Sequence, residues 1–227
     1  MANHKDIINF TKVWEGGLSS AQTDTARKNP SPCGNGKNGY PYHTNKGVQW
    51  ITFKSLATKG GYAATCDNFL KMPTDIWLKI YKVGFWDEMQ GDKIKNQAIA
   101  NTFVKWAWGS GSGGAISSLK KFFKSKYNKD FTSISQMVNF VNEIDDKDQN
   151  KELFDGLMAY REAFLRSTGQ TANLKGWFNR EDAFYIYNLP YTITRKTKKL
   201  TKTIITYSAI TLVLGASLIY LGKKYGK

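Results

Sequence analysis

Glu15 stands in the run Val13-Trp14-Glu15-Gly16-Gly17, a setting that suits a proton donor. A carboxylic acid that protonates a glycosidic oxygen needs a pKa above the usual carboxylate range. Aliphatic and aromatic neighbours supply desolvation, which disfavours the charged form. A helix ending at this point adds the negative end of its dipole. The same chemistry needs a second polar group across a cleft, to act as nucleophile, hold a water or steady an oxocarbenium-like transition state. Asp24, nine residues further on, and Thr44, ahead of Lys46-Gly47-Val48, are the candidates. Each residue also has a plainer reading. Glu15 could be a solvated glutamate in a helix-ending turn, and a loop aspartate such as Asp24 commonly caps a turn.

Other chemistries are poorly supplied. His4 and His43 are the only histidines, and Cys33 and Cys66 form no C-x-x-C pair, so neither a zinc site nor any other metal or cofactor is expected. The two cysteines stand either as a disulfide, in an oxidising compartment, or as two buried thiols. The net charge of +15 predicts attraction to an anionic partner (nucleic acid, a membrane surface or the acidic polymers of a cell wall), unless part of it is only a solubilising surface. No nucleic-acid-binding motif accompanies the charge, so nucleic acid is not expected. Apolar residues at 41% and aromatics at 14% are enough for a packed core. Most of the seven Trp belong in that core, and a Trp at a cleft mouth offers a stacking surface for sugars.

The elements that must position these groups follow from periodicity. Ile7, Phe10 and Trp14 fall at helical spacing and predict a helix over 5–14, stopped by Gly16-Gly17, with Glu15 on its last turn. Residues 18–48 are rich in Pro, Gly and Asn and predict a long loop with a short β-hairpin. Helical patterns then cover about 50–58, 74–81 and 96–108, and further helices are expected near 115–126, 133–142 and 150–167. The last shows Leu153, Leu157, Tyr160 and Phe164 as its stripe. Gly109-Ser-Gly-Ser-Gly-Gly114 reads as a tight turn between helices inside one domain.

Several ordered motifs resemble the glycoside hydrolase family 108 N-acetylmuramidases, over roughly residues 5–187. Trp14-Glu15-Gly16-Gly17 followed by Asp24 is similar to that family's Glu-Gly-Gly signature, and Thr44-Asn45-Lys46-Gly47-Val48 to its Thr-x-x-Gly-Ile segment. Ile76 to Trp86, closing on Phe85-Trp86-Asp87, resembles its helix leading to Tyr-Trp-Asp. Ile99–Ala115 and Gly176-Trp177-Phe178-Asn179-Arg180 resemble the companion peptidoglycan-binding region. The resemblance implies a mainly α, lysozyme-like (α+β) domain. Residues 1–95 would be the muramidase region, and 96–190 a helical region completing the same domain. It implies peptidoglycan as substrate, with catalysis by Glu15, Asp24 and Thr44. Trp86, Trp108, Trp177 and Arg180 are the candidates for substrate contact, although Trp86 also suits the core, and Trp177 and Arg180 either line the cleft or pin the last helix. There are departures. Tyr42-His43 replaces a Gly-Gly pair, which bears on the substrate loop. Lys105 and Trp108 stand where the family usually has an aspartate and an asparagine, which bears on cleft polarity.

Beyond a basic linker over 191–202, Thr203 to Gly222 supplies 20 consecutive uncharged residues. That is long enough to span a hydrocarbon layer, with Tyr207 and Tyr220 at its ends, so a single C-terminal transmembrane helix through a bacterial membrane is expected. Five Lys/Arg precede it within 15 residues and three follow, which places the N-terminal domain on the cytoplasmic side. Met1-Ala-Asn-His-Lys-Asp lacks the pattern of a secretory signal, in keeping with that side. These features together suggest a phage lysis or virion enzyme held at the host inner membrane until the membrane is breached. The rival reading is a non-catalytic, membrane-anchored protein that grips the wall through its basic, aromatic surface.

Overall fold

The computed structural model describes residues 1–192; the expected membrane helix at 203–222 and most of the basic linker lie outside the described residues. Helix α1 (His4–Trp14) is capped by the Asn3 side chain, which accepts from the Lys5 N–H. It buries Ile7, Ile8, Phe10 and Thr11, while Trp14 stays about one-third exposed. The helix ends at Trp14, where its spacing predicts. Glu15 already has an extended backbone, so it is the first residue beyond the helix rather than part of its last turn.

The long loop is held by specific links rather than by regular structure. A short 3₁₀ turn (Thr25–Lys28) is capped by Asp24, and Ser19 bridges to Thr44. A Cys33–Cys66 disulfide joins the loop to the start of helix α3 (Cys66–Lys71), the first of the two states open to these cysteines. Strands β1 (Thr44–Asn45) and β2 (Val48–Gln49) form an antiparallel hairpin, with Thr44 opposite Gln49. Its two-residue turn, Lys46-Gly47, has positive φ at both positions (45° and 77°), the demand of a type I′ turn.

Helices α2 (Trp50–Lys59) and α4 (Thr74–Tyr81) follow, the latter running into a π-helical turn (Lys82–Trp86). Helix α5 (Gln97–Tyr127) is continuous apart from Gly111, whose φ of 72° and ψ of 153° break it into two segments. The expected turn over the whole Gly/Ser run is thus reduced to one residue, because the other glycines accept helical backbone. Helix α6 (Ile134–Glu143) carries a capping box made by Ser133 and Gln136. In α7 (Lys147–Ser167) the buried stripe is Leu153, Leu157, Arg161 and Leu165; Phe164 is exposed, contrary to its expected place in the stripe. Helix α8 (Thr171–Thr192) closes the described chain.

One apolar cluster takes residues from the helices of both halves of the chain, among them Ile7 of α1, Trp77 of α4, Phe103 of α5, Leu157 of α7 and Phe184 of α8. Polar ties fix the last helix against the first. The Tyr187 and Tyr191 hydroxyls donate to Asp6, and Asn101 donates to both Asp6 and Asn188. This clasp brings the earlier turns of α8, with Trp177 and Arg180, to the end of α1.

Candidate active site

Glu15 leaves α1 just where the chain turns outward, and its side chain folds back against α5. The side chain is only 13% exposed. Its Oε1 accepts from the Trp108 indole Nε1–H at 2.7 Å, and the Arg180 Nη1 lies 3.8 Å from the same oxygen. Burial pushes the Glu15 carboxyl above the ordinary glutamate range; the Trp108 hydrogen bond and the Arg180 charge pull the other way without cancelling it. Burial thus favours the acid form of the carboxyl, while the indole N–H and the guanidinium beside it favour the carboxylate.

Trp108 is held among other aromatic side chains. Its ring sits among Trp77, Tyr81 and Phe85, with centroids 5.5, 5.0 and 4.8 Å away. The hairpin turn closes the other side. A Cβ on Gly47 would fall 2.2 Å from Glu15 Oε2 and 2.8 Å from Trp108 Cζ2, so a larger residue would force the carboxyl or the hairpin to shift. The turn itself is pinned by Trp77 Nε1 donating to the Lys46 carbonyl and by Lys46 Nζ donating to the Met72 carbonyl. Asn45 adds donations to the Phe69 and Leu70 carbonyls.

Three cavities flank this carboxyl. One of about 390 Å³ is lined by Glu15 itself with Lys12, Gly16, Gly17, Lys46, Thr74 and Trp77. A second, about 580 Å³, lies across Gly47 and is walled by Ile51, Phe85, Trp108 and the Gly109–Ser112 break of α5. A third, about 490 Å³, shares Gln49, Gly109 and Ser110 with the second and extends to Asp24, Arg161, Trp177 and Arg180. Clefts of this size, with a few converging polar groups, suit an extended ligand.

Asp24 does cap a turn, since its Oδ1 accepts from the Ala26 N–H at 2.8 Å, but it also lines the third cavity. His43, one of the two residues standing in place of a Gly-Gly pair, links Thr44 and Asp24. His43 is fully buried, with Nδ1 at 3.0 Å from Thr44 Oγ1 and 3.9 Å from Asp24 Oδ2, and Nε2 at 3.1 Å from the Ala21 carbonyl. A carbonyl only accepts, so Nε2 carries a proton, and in the neutral ring Nδ1 accepts from the Thr44 hydroxyl. No periodicity or motif signals this role.

Of the aromatic candidates, Trp108 and Trp177 line cavities and Trp86 does not. Trp86 is fully buried, donates from Nε1 to Asp92 Oδ1 at 2.8 Å, and lies so close to Gly91 that a Cβ there would stand 2.4 Å from its ring. It is a core residue and is removed from the substrate-contacting set. Lys105 faces inward and pairs with Glu181 beneath the cleft, with its ammonium 4.5 Å above the Phe184 ring. Burial lowers its pKa to about 8, against the opposing pull of Glu181. Among the described residues, no cluster of His, Cys, Asp and Glu is arranged to hold a metal ion.

Residues 8–111 match the family model described as glycosyl hydrolase 108. The matched span runs from α1 to the Gly111 break and so contains Glu15, Asp24, Thr44 and Trp108. The fold is similar to the solved "Structure of Brucella abortus SagA", with a TM-score of 0.61 and 16% identity, covering 85% of this chain and 97% of that one. At that identity the likeness shows a common fold. No curated protein matches the chain.

Proposed function

We propose that this chain, a glycoside hydrolase acting on peptidoglycan, cleaves the β-1,4 bond between N-acetylmuramic acid and N-acetylglucosamine with Glu15 as general acid. The observation that carries the proposal is the setting of Glu15: a buried carboxyl whose pKa is raised by desolvation, at the wall of a cavity of about 390 Å³. In the reaction Glu15 gives its proton to the bridging oxygen as the glycosidic bond breaks. The resulting carboxylate takes up the Trp108 indole bond and the Arg180 charge already beside it, so little reorganisation is needed. Asp24 steadies the positive charge on the sugar ring, and Thr44, oriented by His43, directs the water that completes hydrolysis.

The test is digestion of purified cell wall, scored by released reducing ends. Glu15→Gln keeps the shape and removes the proton, and we expect the rate to fall by about 10²–10⁴-fold, the usual worth of a general acid. Equal release by both proteins would remove Glu15 from the mechanism. Borohydride reduction of the products before acid hydrolysis identifies the bond: reduced muramic acid supports the assignment, and reduced glucosamine overturns it.

For location we propose attachment to a bacterial membrane through residues 203–222. Among the described residues no helix is long and apolar enough to cross a membrane, and the proposal rests on the uncharged run of 203–222. The Cys33–Cys66 bridge supports an oxidising setting for the folded domain. That runs against the cytoplasmic side favoured by the flanking lysines and arginines. Protease treatment of intact spheroplasts separates the two orientations: a domain digested from outside faces the wall, and a protected one faces the cytoplasm.

A further inference from the structure

Arg161 sits on the inner wall of the third cavity, and the mechanism above does not use it. It lies on the core-facing stripe of α7, and the residue is only 6% exposed. A buried guanidinium normally finds a carboxylate, because an unpaired charge is costly away from water. Among the described residues Arg161 has none in ion-pair contact. Its Nη1 donates to Ser110 Oγ at 3.1 Å, and its Nε is buried without a hydrogen-bond partner. Arg180, on the same cavity, likewise has a buried Nε without a partner, and its one ionic neighbour, Glu15, is 3.8 Å away.

The local charge does not balance. Lys105, Arg161 and Arg180 converge here, and Glu181 is taken by Lys105. Glu15 contributes no negative charge while it holds its proton. Asp24 on the cavity wall adds one negative charge, but its Oδ1 accepts from the Ala26 N–H and, among the described residues, it makes no ion pair with Arg161 or Arg180. Burial and the neighbouring Arg180 both press the Arg161 guanidinium towards losing its proton, and Glu181 only partly opposes them. Trp106 and Phe164, with ring centroids 5.9 and 5.2 Å from the Arg161 carbon, hold the planar group in place without neutralising it.

We infer that the cavity between Arg161 and Arg180 is a carboxylate subsite, which takes a free carboxyl group of the wall polymer next to the sugar whose bond Glu15 cleaves. The inference rests on the peptidoglycan reading above. A guanidinium fork matches the two oxygens of a carboxylate, and burial strengthens the pair. Peptidoglycan offers such groups from two sources, the lactyl arm of muramic acid and the peptide stem. Either would enter past Trp177, with Gln170 and Asn173 at hand for its amides. Arg180 would then bridge the two sites, one edge towards Glu15 and the other towards the bound anion.

The test measures binding, so it does not depend on turnover. Soluble peptidoglycan fragments are titrated calorimetrically against Glu15→Gln, which holds them uncleaved, and against the double variant Glu15→Gln/Arg161→Gln. We expect the double variant to bind at least about tenfold more weakly, as suits loss of a charge-assisted bond. Fragments whose carboxyls have been converted to amides should bind the Glu15→Gln protein with a similar deficit, and this arm needs no change at Arg161 should that variant fold poorly. Stem-bearing fragments, in which the lactyl carboxyl is blocked, are compared with amidase-stripped strands, in which it is free. The tighter of the two identifies the source. Undiminished binding of the amidated fragments overturns the inference. Reducing-end release by the wild type is scored separately, so failure of the subsite and failure of the hydrolase reading give different results.

Discussion

Adding one methyl group at Gly47 perturbs the acid and its indole partner together. The new Cβ would stand 2.2 Å from Glu15 Oε2, 2.7 Å from its Cδ and 2.8 Å from Trp108 Cζ2. The Glu15 tip can swing aside, but Trp108 cannot, because Trp77, Tyr81 and Phe85 enclose it. Relief therefore comes from the carboxyl or from the hairpin, which the Trp77 and Lys46 bonds resist. The backbone adds its own term: φ at Gly47 is 77°, and an L-residue held there costs roughly 1–2 kcal/mol. Weakening the Trp108–Glu15 bond, which leaves a buried donor poorly satisfied, adds about 1–3 kcal/mol. We expect Gly47→Ala to lower stability by about 2–5 kcal/mol in all. At about 2–4 °C of Tm per kcal/mol for a domain of this size, the loss is easily seen by calorimetry. A displacement of about 1 Å at the acid also predicts a loss of about 10²-fold in wall hydrolysis at temperatures where the variant is folded. A folded Gly47→Ala protein with the wild-type rate would refute the reasoning, since the carboxyl would then not need the position it holds.

Three further outcomes follow from the same geometry. Trp108→Phe keeps an aromatic ring, though a smaller one, and deletes the donor that lowers the Glu15 pKa; the acid form then persists to higher pH, so the alkaline limb of the pH–rate profile should move upward, and an unmoved limb would separate Trp108 from the acid. Reduction of Cys33–Cys66, or Cys33→Ser, releases a constraint across a sequence separation of 33, and should cost about 4 kcal/mol on the chain-entropy estimate, read as a lower Tm under reducing conditions. Lys105→Met should destabilise by about 3–5 kcal/mol by leaving Glu181 buried without its partner, whereas Lys105→Met with Glu181→Leu should recover most of that loss. The Lys105 pKa is lowered to about 8, below its unfolded value, so the unfolded chain holds more protons above that pH. This pair's contribution to stability accordingly rises as pH climbs from about 8 towards the unfolded lysine value, an increase that the double variant should lack.

Local physics made much of this molecule legible. Ile7, Phe10 and the Gly16-Gly17 stop are enough for α1 and for Glu15 at its end. The spacing of Ile76, Trp77, Ile80 and Tyr81 is enough for α4, because a stripe at helical period has one way to bury itself. Gly109–Gly114 reads as a longer break than it is, since glycine permits a turn without compelling one, and only Gly111 departs from helical angles. Phe164 and Leu165 lie side by side in sequence, and apolarity alone does not say which faces the core. Trp86 is of the same kind: an indole suits a sugar platform as well as a core, and packing against Gly91 decided for the core.

Residue type and short spacing are enough to mark Glu15, at the end of the first helix, as a candidate proton donor, with Asp24 and Thr44 in the loop as its candidate partners. Tertiary structure alone decided what the acid meets. Trp108 lies 93 residues away and Arg180 comes from the last helix, both brought in by α5 and by the Asp6 clasp on α8. The same packing made His43 a buried link rather than a loop substitution, and turned Lys105 towards Glu181. Burial and long-range charge set a pKa, and neither quantity exists until distant segments of the chain have come together.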